Sequence, residues 1–150
     1  MASSMQTKKE KLVKIFSEFI RLLYSNDDGY VSCVTCPYFP NKTKPNAFRF
    51  WKDKMQNGHF QPRNKMNTTF HEQNCHPQCE DCNLWRDKTT MQTAYRRFMV
   101  DRYGEERTTE IENLGMRNDL MSPLERELWY VEKIEYYKLK VAELKSEKGL

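Results

Sequence analysis

Residues 7–25 carry Leu12, Ile15, Phe16, Phe19, Leu22 and Leu23 at helical spacing among lysines and glutamates. That pattern predicts an amphipathic helix, and Thr7 with Glu10 three positions later has the form of a capping box at its start. Asn26-Asp27-Asp28-Gly29 breaks the period and turns the chain. From Tyr30 to Val34 the pattern alternates and is rich in strand formers, so a short strand is expected to run into Cys33-Val34-Thr35-Cys36. Pro37 to Asn46 reads as loop, and a second short strand is expected around Gly58-His59-Phe60, ahead of Pro62 and another polar loop.

Beyond Cys82 the helical period returns. Thr90 to Tyr103 places Met91, Tyr95, Phe98 and Met99 on one side, Gly104 ends that helix, and residues 105–114 read as a further short one. Ser122-Pro123-Leu124-Glu125 is a helix start, with Ser as N-cap, Pro first and an acid third. The helix it opens is expected to reach about Glu147, with Leu124, Leu128, Val131, Ile134, Val141 and Leu144 as its apolar stripe. Such a stripe serves core or partner packing, with a dimer seam as the alternative. No internal repeat is present. The fold class expected is α+β in one domain over residues 1–150: an N-terminal helix (7–25), a small core (30–88) and C-terminal helices (90–147).

Composition qualifies this picture. The chain is 31% charged and 38% hydrophobic, but 13% aromatic residues and eight methionines argue against disorder. Net charge is +4 and unevenly spread. Lys42, Lys44, Arg49, Lys52, Lys54, Arg63 and Lys65 face only Asp53 within residues 42–65, with Phe48, Phe50, Trp51 and Phe60 among them. Basic residues interleaved with aromatics suit a phosphate-rich partner, with Arg63 and Lys65 facing the phosphates; the alternative is an ordinary solvated loop. The N-terminus lacks the apolar segment of a secretory signal, and no apolar run is long enough to cross a bilayer. A cytoplasmic setting with no membrane partner is therefore expected, where clustered cysteines point to metal rather than disulfides.

Cys33-x-x-Cys36 and Cys79-x-x-Cys82 have the spacing at which two thiolates from one turn grip the same ion, and two such knuckles complete a structural zinc site. A redox pair or unligated thiols are the alternatives. Cys75, four residues before Cys79, reads as a small buried residue rather than a fifth ligand. Trp85 and Tyr95 read as core, with a stacking platform for bases as the alternative, and His71 as a loop residue near the nucleic-acid side.

Between and beside the knuckles lie His59 on the second strand, Asn74 in the following loop, and Asn83 directly after the last zinc cysteine. This order resembles the ββα-metal, or HNH, nuclease site. The likeness narrows further: "CVTC", "NGHFQPRN" and "FHEQNCHPQCEDCN" resemble the core of the phage NinG (Rap) recombination-protein family. "AYRRFMVDRYGEERTTEIENL" and "SPLERELWYVEKIEYYKLKVAEL" are similar to its later segments, so most of residues 10–145 is covered. The knuckles, central His and Cys-Asn ending are also similar to the endonuclease VII type of phage junction resolvase.

The resemblance implies a small ββα-metal centre pinned by a four-cysteine zinc site. It also implies a metal-dependent, structure-selective endonuclease acting on branched DNA such as Holliday junctions or D-loops, in the cytoplasm of a phage-infected bacterial host. Carried onto this chain, His59 is the general base, Asn74 braces its loop, Asn83 ligates a catalytic Mg²⁺ or Mn²⁺, and Cys33, Cys36, Cys79 and Cys82 hold zinc. His76 matches a family histidine whose role stays open between phosphate contact, metal contact and loop bracing. The family's Asp three residues before the His is here Gln56, followed by Asn57. Either of these ligates through its carbonyl oxygen, or an acid such as Asp87 or Asp53 substitutes, or catalysis is weak. Asp87 is expected four residues after Asn83 on the same helix face, unless it is simply a solvated acid. Cutting a junction symmetrically calls for a homodimer, with the helices at 90–147 as its surface. Two further readings stand beside the enzyme: a zinc-stabilised branched-DNA-binding protein that does not cut, and a zinc-pinned protein-interaction module.

Overall fold

Helix α1 spans Ser4–Leu23 and buries Leu12, Phe16, Phe19, Ile20 and Leu22 along one face, the apolar stripe expected of it. The computed structural model describes residues 4–40 and 43–150, and Lys42 of the basic stretch lies outside them. Thr7 and Glu10 do not form the expected capping box, because the helix already runs through them; Glu10 instead accepts from Gln6 one turn earlier.

α1 lies along the C-terminal helix, which we label α5 (Pro123–Lys148). Lys8 pairs with Glu127 near their first turns, and Lys148 donates from Nζ to the Leu22 carbonyl at 2.7 Å near their last, so the two run in the same direction. That ammonium satisfies carbonyls left without helical partners at the end of α1. Ser122 caps α5 by accepting from the Glu125 N–H, as its sequence predicts.

The buried face of α5 differs from the predicted stripe. Tyr130, Ile134, Tyr137 and Val141 are buried and Leu144 partly so, while Leu124, Leu128 and Val131 are exposed. The two tyrosines bring large apolar bodies to the true face. Tyr137 stacks edge-on with Phe16, and its hydroxyl, which would be costly to bury alone, donates to Glu72 at 3.0 Å.

Two antiparallel two-stranded sheets follow, the second packed against α1. In the first, β1 (Tyr30–Ser32) pairs with β2 (Phe48–Phe50), a three-residue strand inside the basic stretch that the sequence pattern does not predict. In the second, β3 (Met55–His59) pairs with β4 (Cys75–Cys79). The expected strand around His59 thus begins earlier and ends at the histidine. A single helical turn, α2 (Met66–Thr69), lies between β3 and β4. After β4 come a wide turn at Asp81–Trp85, then α3 (Lys88–Tyr103) and α4 (Glu105–Met116). Met99 and Ile111 from these helices close over Phe60 and Tyr95 in a second apolar cluster. The architecture is α+β. No helix of the described residues is long and apolar enough to cross a membrane.

Candidate active site and metal centre

The four knuckle cysteines converge. β1 delivers Cys33, one turn of 3-10 helix begins at Cys36, β4 ends at Cys79, and Cys82 sits in the wide turn. Their sulfurs all lie within 4.8 Å of one another, and Cys36 Sγ is 3.7 Å from those of both Cys79 and Cys82. Sulfurs about 2.3 Å from a central zinc at tetrahedral angles are roughly 3.8 Å apart, so the donor set and its size suit that ion. The thiols of Cys79 and Cys82 are held above their usual range, first by hydrogen bonding to Cys33 and then by Cys36. Four crowded sulfurs do not all ionise without a cation among them. The Val34 N–H donates to the Pro77 carbonyl and fastens the first knuckle to β4. Cys75 stands apart, fully buried with its Sγ on the Thr69 carbonyl, and burial pushes its thiol up.

The β3–β4 register sets Gly58 opposite His76 and His59 opposite Cys75. Only glycine fits before His59, because a Cβ there would lie 1.9 Å from Oε1 of Gln78. Gln78 passes over that space to donate to Thr35 Oγ1 at 2.9 Å, tying the hairpin to the first knuckle.

His59 is fixed by one backbone contact. Its Nε2 is 2.9 Å from the Thr69 carbonyl, which can only accept, so Nε2 carries the proton and Nδ1 keeps its lone pair. Burial, chiefly, and the nearby Arg63 lower its pKa to about 4, the Thr69 contact opposing them. The ring is therefore neutral at physiological pH.

Asn74 holds the segment that supplies this contact. Its Nδ2 donates to the carbonyls of Gln61 and Thr68, its Oδ1 accepts from the Gln61 N–H at 2.7 Å, and its backbone carbonyl accepts from Phe60. Fully buried, it bridges the chain just after His59 to the turn ending at Thr69.

His76 is no phosphate contact, because it is fully buried. The Tyr95 hydroxyl donates to the Gly58 carbonyl at 2.8 Å, so Tyr95 must accept from His76 Nδ1 at 2.9 Å. His76 Nε2 is then the acceptor for the Tyr103 hydroxyl at 2.7 Å, and Tyr103 accepts in turn from Tyr24. Each proton in the chain is determined by the carbonyl at its end. Burial first and Arg102 second lower the His76 pKa to about 3, which keeps the ring neutral as this order requires. The chain ends on the residue before His59, a connection that sequence spacing does not reveal.

Around His59 the surface is concave. One hollow is lined by His59, Asn57 and Arg63 with Lys9 of α1. An adjoining one is lined by Gln56, Asn57, Arg63, Asn83 and Arg21, and a third brings His59 and Asn83 together with Leu84 and Lys88. No carboxylate lines any of the three, as described. Asn83 donates from Nδ2 to Gln56 Oε1 at 2.7 Å. Asn57 is 6% exposed and its Oδ1 has no hydrogen-bond partner among the described residues, leaving a buried carbonyl oxygen beside the cleft.

Several expected positions fall elsewhere. Asp87 does not share a helix face with Asn83, because the wide turn separates them and α3 begins only at Lys88. Its carboxylate caps α3, accepting from the N–H and hydroxyl of Thr90. Asp53 and Lys65 line none of the hollows, and His71 caps a short turn by accepting from the Gln73 N–H. Tyr95 is core, but Trp85 is 70% exposed. Arg63 is exposed at the cleft with no ion pair among the described residues.

These features define a class: a small α+β protein whose histidine-bearing hairpin is joined to the turn that follows it by a cluster of four cysteines spaced to hold a metal ion. The chain belongs to the phage lambda NinG protein family, whose profile matches residues 2–147. No curated protein and no solved structure shows significant similarity to it.

Proposed function

We propose that this chain is a structure-selective DNA endonuclease of the ββα-metal (HNH) type, with structural zinc on Cys33, Cys36, Cys79 and Cys82, acting on branched intermediates of phage recombination. The single observation that carries the reading is the state of His59. It is neutral, its Nε2 proton is committed to the Thr69 carbonyl, and its Nδ1 lone pair has no protein partner as described. That is the form a general base needs. Nδ1 would take a proton from water as its oxygen bonds to phosphorus, and the P–O3′ bond would break, leaving a 5′-phosphate and a 3′-hydroxyl.

Arg63, Arg21 and Lys9 line the same hollows and are suited to hold the phosphodiester in place. A divalent cation such as Mg²⁺ or Mn²⁺, when bound, would offset charge on the phosphate and the departing oxygen. The protein side fits it in part. Asn57 and Asn83 offer amide oxygens, one of them orphaned and buried, but no carboxylate contributes. DNA phosphates would have to complete such a site. A homodimer is expected on a junction, where two cuts are placed symmetrically.

The missing carboxylate also favours a second reading, a zinc-stabilised protein that binds branched DNA without cutting it. One experiment separates the two. Purified zinc-loaded protein is incubated with a labelled four-way junction and with linear duplex, in Mg²⁺, in Mn²⁺ or in neither, alongside His59→Ala. Metal-dependent nicking lost in His59→Ala is expected; tight junction binding without cleavage in any metal selects the binding protein. Indifference to DNA at moderate salt refutes both.

A further inference from the structure

Leu84 and Trp85 project from the turn that carries Asn83. They are 52% and 70% exposed. The other two tryptophans are engaged: Trp51 is 3% exposed, and Trp129 packs against Phe70 and Tyr130. Trp85 has no ring partner among the described residues. Its mounting is nonetheless firm. Cys82 anchors the turn in the four-cysteine cluster, and the Arg86 N–H closes it on the Asp81 carbonyl at 2.9 Å. A large aromatic left in water on a rigid turn is a surface built for contact.

The surroundings identify the contact. Leu84 lines both the hollow containing His59 and Asn83 and the one containing Asn57, Asn83 and Arg63. Arg63 and Lys88 stand at that rim, no acidic side chain among the described residues lines either hollow, and Asp81 is paired with Lys44. A basic rim with an apolar plate suits a polyanion that also offers flat faces: nucleic acid with an exposed base. In a continuous duplex the base faces are covered by their neighbours. At a branch point they are cheapest to uncover.

Resting on the nuclease reading, we propose that Leu84 and Trp85 form a base-stacking wedge. It receives an unstacked base at the DNA branch and so seats the adjoining phosphodiester beside His59. The wedge would supply preference for branched over linear DNA, while Arg63, Arg21 and Lys9 supply affinity for phosphate without regard to shape.

The test uses the full zinc-loaded chain in buffer without Mg²⁺ or Mn²⁺, so that binding is read without cleavage. The probe is a four-way junction with 2-aminopurine at the branch, with the same fluorophore in a linear duplex as reference. The parent should alter emission at the branch and not in the duplex. Trp85→Ala should lose about 5- to 150-fold in junction affinity, the range of one stacked base, with duplex affinity unchanged. Trp85→Phe should keep most of the preference, and Arg63→Ala should weaken both substrates together. Zinc content and circular dichroism confirm that the variants are folded. Equal loss on both DNAs in Trp85→Ala, or no loss on either, overturns the wedge. So does a changed sedimentation coefficient without DNA, which would place the indole against a second copy of the chain. A parent that binds no DNA removes the nuclease reading as well. A parent whose cutting depends on His59 but not on Trp85 removes the wedge alone.

Discussion

Asn83 and Gln56 are joined side chain to side chain, Nδ2 to Oε1 at 2.7 Å, across the gap between the last knuckle and the start of β3. The bond takes up the carbonyl oxygen that Gln56 would need to hold a cation. It also shows that position 56 faces Asn83, although 27 residues separate them in sequence.

Gln56→Glu follows from this pair. The substitution keeps the length of the side chain and an acceptor for Asn83, and adds the charge that a hard cation prefers. Arg21 and Arg63 line the same hollow and would keep the new carboxylate ionised. Affinity for Mn²⁺ in the absence of DNA, read by calorimetry, should rise on the order of tenfold or more, and junction cleavage in Mg²⁺ should rise with it. Unchanged Mn²⁺ affinity would show that position 56 does not face the cation.

The histidines carry the pH dependence. His59 is lowered to about 4 and His76 to about 3, both chiefly by burial, and His71 is lowered too, burial again leading. Neither His59 nor His76 should therefore titrate near 6.5. Proton NMR of the zinc-loaded protein should show two imidazole signals, those of His59 and His76, that scarcely move between about pH 8 and 6. The sign for stability is opposite to that of a paired histidine. A depressed folded pKa means that the unfolded chain binds more protons as pH falls below 6.5, so stability is present above that value and declines towards 4. Thermal melts at about pH 7 and 5.5 should differ accordingly, and His59→Gln should lessen the difference. A signal from His59 titrating near 6.5 would contradict its enclosure.

Tyr95→Phe isolates the buried chain behind β3. Loss of the hydroxyl leaves the Gly58 carbonyl and His76 Nδ1 without their partner while keeping the ring that packs on Phe60. The expected cost is about 1–3 kcal/mol of stability, measured by urea unfolding. If the chain also fixes where His59 sits, the turnover rate on junctions should fall while junction affinity stays as in the parent. A variant as stable as the parent would mean that water replaces the hydroxyl.

How much of this was legible in the sequence depended on range. α1, the capped start of α5 and the two knuckles could be read because each is set by residues a few positions apart, where periodicity, caps and ligand spacing act. What failed was decided by distant partners. Tyr130 and Tyr137 displaced Leu124 and Leu128 from the buried face because α1 and Glu72 receive their rings and hydroxyls. His76 stood in a motif beside the metal ligands, yet its neighbours Tyr95 and Tyr103 come from α3. Asp87 would share a face with Asn83 only if a regular helix began at Asn83; the wide turn shifts that helix and makes the acid its cap. Trp85 is 70% exposed although tryptophan is on average a largely buried residue, and no local signal in the sequence shows that its turn projects.

The four-cysteine centre carries the last prediction, because the positions of Asn57 on β3 and Asn83 in the wide turn depend on it. Cys79 ends the strand paired with Met55, and Cys82 immediately precedes Asn83, so an ion held there fixes β3 and the wide turn together. The strands are short, and apolar burial alone gives so small a centre little margin. Metal analysis of the purified chain should find about one zinc per molecule. Cys82→Ser or removal of the ion by a strong chelator should abolish the cooperative thermal transition of the centre, since such ions contribute on the order of 10 kcal/mol to small zinc modules. Cys75→Ser should retain the zinc, because its sulfur lies on the Thr69 carbonyl and outside the cluster. Its cost should be limited to stability, about 1–3 kcal/mol for a polar group brought into a buried site. Loss of zinc in Cys75→Ser, or full retention of it in Cys82→Ser, would reverse the assignment of ligands.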